Sequence, residues 1–246
     1  MKFNFQIVLI LTVNLILSRH DQCSAQSYPF WFLYPLKAGC GNIYTGYADN
    51  SIYPDSAAVR AIRNGYVNFA QLQNVFIQGG QAFWNTEYGM LWMGSSFNES
   101  IDSSYINSAS NILTPADTLY NNNLVAVALN AGDCSSINKT PVNLKNMSNP
   151  VWTENLPAQD GYIYASGVAP EYYYETSSWW EAEKNARSKL ARNMDSKIQS
   201  VEKIGYDNQT IVNEELCIHL RGIEVVERWR DLNEKIFYVL LRVPKF

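Results

Sequence analysis

The sequence predicts an α+β fold built as a tandem pair of small β-α-β-β units, one helix packed on an antiparallel sheet in each. Three observations predict it. Two stretches repeat one another in the same order about 120 residues apart. Each holds a β-rich run followed by apolar residues at spacings of three and four. Each closes on a short, continuously apolar run of strand length. With 246 residues, 47% apolar and 17% charged, the chain is long enough for two such units and too apolar to be disordered.

Residues 1–25 have the form of a secretory signal peptide. Lys2 precedes the 11-residue apolar run Ile7–Leu17, and Cys23-Ser24-Ala25 places small residues before a cut at Ala25/Gln26. That run is too short for a membrane span, which needs about 20 apolar residues. Arg19-His20-Asp21-Gln22 are charged and bulky where a lipidation signal at Cys23 needs small, apolar residues, so simple cleavage is expected.

The first unit is expected over 28–132. Ile43–Ala48 supplies a strand. Asp55 or Ser56 caps a helix carrying Ala58, Ile62, Phe69, Leu72 and Phe76. Gly65 weakens that helix by about 1 kcal/mol relative to Ala. A strand is expected over Phe83–Met93, a long Ser/Asn-rich loop over Ser95–Ser110, and a closing strand over Leu124–Leu129. Gly79-Gly80 reads as a turn and not as a phosphate-binding loop. The stretch Gly132–Pro150, rich in Asn, Ser and Lys, supplies a linker over 133–149.

The second unit is expected over 150–246. Tyr162–Val168 is its first strand. Ser178, three residues before Glu181, has the capping-box spacing that starts a helix. Ala182, Ala186, Leu190, Met194, Ile198 and Val201 fall on one face of that helix, and Gly205 ends it. Leu216–Trp229 suits one long strand, Asp231–Glu234 a turn, and Ile236–Val243 a strand buried on both faces. The units align as Ile43-Tyr44 with Ile163-Tyr164, Gly46 with Gly167, Ser56 with Ser178, and Leu124–Leu129 with Ile236–Leu241. Trp31 and Trp152 precede them at an offset of 121.

The second unit resembles the LPP20-like family of bacterial cell-envelope proteins. The resemblance rests on Ile163-Tyr164-Ala165-Ser166-Gly167-Val168-Ala169, the helix Ala182–Ala191, the stretch Gly222–Trp229 and the strand Ile236–Leu241. The family includes outer-membrane lipoproteins and the N-terminal module of a flagellar assembly protein. The resemblance implies a dodecin-like unit, one helix held by an antiparallel sheet, with no enzyme activity. The first unit is then a degenerate copy, with Tyr47 where the second has Val168.

Removal of Lys2, Arg19 and Asp21 with the leader leaves 17 basic and 22 acidic residues, a net charge of −5. Nucleic acid requires a cationic footprint, which is absent, so it is excluded as a partner. The Asn-x-Ser/Thr sites at Asn98, Asn138, Asn146 and Asn208 matter only in a host that glycosylates them.

Four constellations are candidates for function. Tyr172, Tyr173, Tyr174, Trp179 and Trp180 flank a short loop, where aromatics stack on sugars, fill a partner's pocket, or fold back over the sheet. Glu171, Glu175, Glu181 and Glu183 cluster at the helix start. Paired carboxylates hydrolyse glycosides, while the helix dipole alone favours acids there. Cys217 and His219 share strand parity, but a structural metal site needs four ligands, so both are expected in the core and no metal or cofactor is called for. Cys40 precedes the first strand of its unit and Cys134 follows the last. If those strands are neighbours, a Cys40–Cys134 bridge closes the unit; three free thiols are the alternative.

These features point to an exported, non-enzymatic cell-envelope protein, periplasmic or at the outer membrane, that binds or braces a protein or other envelope component and can form a homo-oligomer. Two alternatives stand beside it: a secreted polysaccharide hydrolase using the helix-start glutamates, and a small-ligand binder between the units.

Overall fold

The structure is a computed structural model that describes residues 27–50, 53–132, 134, 136–194, 197–204 and 209–245. The signal peptide, Cys23 and the helix stop at Gly205 fall outside the described residues. In chain order the elements are β1 (Ser27–Pro29), α1 (Phe30–Leu33), β2 (Tyr44–Ala48), α2 (Pro54–Gln73), β3 (Asn74–Thr86), β4 (Gly89–Ile101), α3 (Ser103–Ile112), β5 (Leu113–Tyr120), β6 (Val125–Ala131), β7 (Pro141–Asn143), β8 (Tyr162–Pro170), α4 (Glu175–Met194), β9 (Lys197–Ile204), β10 (Gln209–Arg221), β11 (Glu224–Asp231) and β12 (Ile236–Pro244). The architecture is α+β, and the strand pairs are antiparallel.

One sheet has the order β2-β6-β5 and carries α2. Another has the order β8-β12-β11 and carries α4. The two helices start 121 residues apart, at Pro54 and Glu175, and end 121 apart, at Gln73 and Met194. Each presses against the middle of its first strand at a glycine. A Cβ at Gly46 would run into the Ala61 carbonyl and the Gly65 amide; one at Gly167 would run into the Ala182 carbonyl and the Ala186 amide. Small residues are what let helix and strand backbones touch. Asn64 donates to the Tyr47 carbonyl at 2.9 Å, as Asn185 does to Val168 at 3.0 Å. Asn68 donates to the Thr45 carbonyl at 2.8 Å, as Lys189 does to Ser166 at 2.9 Å. A one-residue bulge also recurs, at Ala116 opposite Leu129/Ala128 and at Val226 opposite Leu241/Leu240.

The path between helix and closing hairpin differs from the expectation in both halves. Each helix runs straight into an extra hairpin: β3–β4 in the first half and β9–β10 in the second. The four strands share one sheet, in the order β4-β3-β10-β9. The second half is therefore β-α-β-β-β-β, and the first is the same with α3 added between β4 and β5. The helices stop sooner than the apolar spacing suggests, so Phe76 lies in β3, and Ile198 and Val201 in β9. Leu216–Trp229 is two strands, broken at Gly222, whose φ of +66° sits in the left-handed region that glycine tolerates. Ser95–Ser110 is no loop. Its first part is β4, in which Phe97, Glu99 and Ile101 alternate with exposed polar residues. Its second part is α3, capped by Asp102, whose carboxylate accepts from the Ser104 amide at 2.8 Å. Gly79 and Gly80 are mid-strand, where a Cβ would collide with the neighbouring strands at Ser96 and Glu214.

Helix starts also shift. α2 begins at Pro54, a residue whose missing N–H costs nothing in a first turn, and Ser56 turns its hydroxyl back to the Tyr53 carbonyl at 2.8 Å. α4 begins three residues before Ser178, and the Ser178 hydroxyl accepts from the Tyr172 amide at 2.8 Å.

The N-terminal segment seals the two halves together. β1 pairs with β7, inside the expected linker, and the Trp31 amide donates to the Asn138 carbonyl at 3.3 Å. Cys40 and Cys134 are joined by a disulfide with Cα atoms 5.4 Å apart, 94 residues apart in sequence. Tyr28, Trp31, Phe32 and Leu33 are fully buried, with the Phe32 ring edge-on to Tyr47 at 6.3 Å and to Trp179 at 5.4 Å. No helix among the described residues is long and apolar enough to cross a membrane.

Candidate functional site

Between α2 and α4 lies a groove of about 660 Å³. One wall is the α2 stripe Asn64, Val67, Asn68 and Gln71, residues spaced three and four apart and therefore on one face. The other wall is α4, through Ser177, Trp180, Glu181, Lys184 and Arg187, with Tyr172, Tyr173 and Tyr174 at the mouth and Glu99 of β4 reaching in. The size is that of a site for a small ligand or a peptide side-chain cluster.

The floor is charged but internally paired. Arg187 grips Glu99 with two hydrogen bonds of 2.9 Å and stands 3.9 Å from Glu183. Glu183 in turn accepts from Arg228 at 2.8 and 3.1 Å, and Arg228 also donates to the Phe32 carbonyl at 2.9 Å. Burial disfavours the Arg187 cation, but Glu99 and then Glu183 outweigh it and raise its pKa above the usual value. Burial, and then the charge of Glu183, push the Tyr47 hydroxyl well above the ordinary tyrosine value. The chain Glu99–Arg187–Glu183–Arg228 runs from β4 of the first half to β11 of the second, so it holds the groove's base to both.

The aromatic cluster splits. Tyr172, Tyr174 and Trp180 are about half exposed, and Tyr173 is 93% exposed with its ring edge-on to Tyr174 at 4.8 Å. Trp179, one residue before Trp180, is wholly buried, edge-on to Phe237 at 4.7 Å. Successive helical residues point about 100° apart, which sends one indole to the core and the next to the groove. Trp179 therefore leaves the candidate recognition loop.

The helix-start carboxylates do not converge on a shared open position. Glu175 is buried, accepting from the Tyr28 hydroxyl at 2.6 Å and from Arg230 at 3.4 Å. Glu171 pairs with Arg230 at 3.2 Å and Glu183 with Arg228, which leaves Glu181 as the one of the four facing the groove without an ion pair among the described residues. Burial, reinforced by Glu175, drives the Tyr28 hydroxyl well above its usual pKa.

Cys217 and His219, expected in the core, are instead exposed. Leu216 and Leu220 occupy the inward parity of β10, so their neighbours face water. The His219 ring lies tilted against Phe76 at 4.8 Å, and no cluster able to hold a metal occurs among the described residues. The groove residues of α2, with Glu99 and Arg187, were not singled out from sequence. The one available signal was the Asn64, Val67, Asn68, Gln71 spacing, which marks a face but not what it faces.

Comparison with protein-family models, curated proteins and solved structures finds no match for the chain.

Proposed function

We propose that the chain is an exported, non-enzymatic cell-envelope protein made of two LPP20-like, dodecin-like units, and that it binds an envelope component in the groove between their helices. The observation that carries this reading is the groove itself: three exposed tyrosines stand at its mouth and the exposed Trp180 lines its wall, over a floor whose charges are already paired. Aromatics left in water at a concave site supply contact area at low entropic cost and mark recognition surfaces. The common offset of 121 between helices, close-packed glycines and helix-to-strand hydrogen bonds supports duplication of one unit. The extra hairpins are insertions into a β-α-β-β plan. Export rests on the form of residues 1–25.

The lack of a free carboxylate pair in the described helix start argues for binding over glycoside hydrolysis, which needs two carboxyl groups flanking a sugar. The test replaces Tyr172, Tyr173 and Tyr174 together by Ser in the native host. Folding stability should stay within about 0.5 kcal/mol, as for exposed positions, while co-purification of the envelope component falls at least tenfold. Unchanged co-purification at unchanged stability would remove the groove as the binding site.

A further inference from the structure

The sheet formed by the two extra hairpins carries a second unusual surface, far from the groove. At its base Val75 and Ile77 are buried, and toward the turn at Glu87-Tyr88 burial fades. Roughly 30 Å along β3 from Val75, the strand reaches a band of large apolar side chains. Cross-strand partners share a face. Leu91, Trp84 and Ile211 therefore line one face of the sheet, and Trp92, Phe83 and Val212 line the other at the same level. Met90 and Met93 extend the band, and Tyr88 crowns the turn at 91% exposure. Trp92 is 64% and Leu91 55% exposed.

A sheet with one solvated face alternates apolar and polar residues; apolar residues on both faces belong to a strand covered on both sides. Nothing among the described residues covers either face here. Below the band the same strands turn polar, with Gln78, Ser95, Ser96 and Asn98 exposed. Between residues 75 and 98 the only charged side chain is Glu87, and none is basic. The boundary thus runs across the strands rather than along one face. A protein groove would cover one face. A medium that surrounds the tip covers both.

We infer that the tip of the β3–β4 hairpin inserts into the interfacial region of a lipid membrane, with Trp84, Tyr88, Leu91 and Trp92 as the inserted anchors. Trp and Tyr suit that zone because each joins an apolar body to a polar tip. The inserted hairpin itself carries no cation; Lys203 of β9 lies two strands away, in register with Thr210 and Asn85. Insertion is therefore an apolar effect that needs no anionic lipid. This goes beyond groove binding and does not depend on it.

The test uses the full chain with an environment-sensitive fluorescent residue in place of Tyr88, and a control label at Tyr120, exposed at the end of β5. Vesicles of neutral phosphatidylcholine should shift the label at 88 to the blue and leave that at 120 unchanged. The W84S/L91S/W92S variant should weaken the response at least tenfold. No response at 88, or one that requires anionic lipid and vanishes in salt, would overturn the inference. So would a shift without vesicles that grows with protein concentration, which would assign the tip to self-association through the β4 edge.

Discussion

At Gly46 and Gly167 a single hydrogen atom stands where any other residue would carry carbon. A Cβ at either meets helix backbone, which cannot swing aside as a side chain can. Gly167→Ala should therefore destabilise the fold by roughly 3 kcal/mol, the upper part of the usual overpacking range, read as a lowered urea midpoint at unchanged slope. A change below about 0.5 kcal/mol would show that the helix is free to move away. Gly65 is the instructive neighbour. Helix propensity alone makes it a defect worth about 1 kcal/mol, yet a Cβ there would press on Leu129 and crowd Gly46. The close approach, not propensity, explains the residue. Trp179 and Trp180 teach the same lesson: adjacent in sequence, they part because helix geometry assigns each to a different environment.

At the scale of elements, α4 is tied to β11, β4 and α1 by the buried ion chain through Arg187, Glu183 and Arg228. Removing one partner leaves a charge stranded in a dry interior, so Arg228→Met should cost about 3–5 kcal/mol. The double variant Arg228→Met with Glu183→Met should recover much of that loss, because replacing a whole buried pair by apolar side chains is often near neutral. A double variant no better than the single would show that the chain's value lies in its geometry rather than its charge balance; thermal unfolding of the three proteins decides. The disulfide ties the entry of β2 to the exit of β6. Replacing Cys40 and Cys134 by Ala removes a constraint on a 94-residue loop, with an expected loss of about 4 kcal/mol in the chain-entropy picture. Reduction of the wild type should lower its melting temperature in parallel. The α+β class and both long helices were legible in sequence, because small and apolar residues recur at three and four. The hairpins were not. In β4, Ser and Asn on the exposed parity masked the Phe97, Glu99, Ile101 alternation, and beyond α4 the apolar spacing ran on into β9 without a break. An inward Glu99 makes sense only once Arg187, 88 residues away, is beside it.

Across the whole molecule, α2 lies on the β2-β6-β5 sheet and α4 on the β8-β12-β11 sheet, and the groove exists only because the two helices face one another. That is why the loop aromatics were readable as a candidate site from one half, while the opposite wall was not. The same arrangement puts the β3–β4 turn at the far end of the shared sheet, with β3 paired to β10 as far as Asn85. The groove is the central claim, and site-specific photo-crosslinking in intact cells of the native host tests it most directly. Crosslinkers at Tyr173 and at Gln71, on opposite walls, should capture one and the same envelope species, and a crosslinker at Tyr120 should capture none of it. Different species from the two walls, or the same yield at Tyr120, would contradict the account.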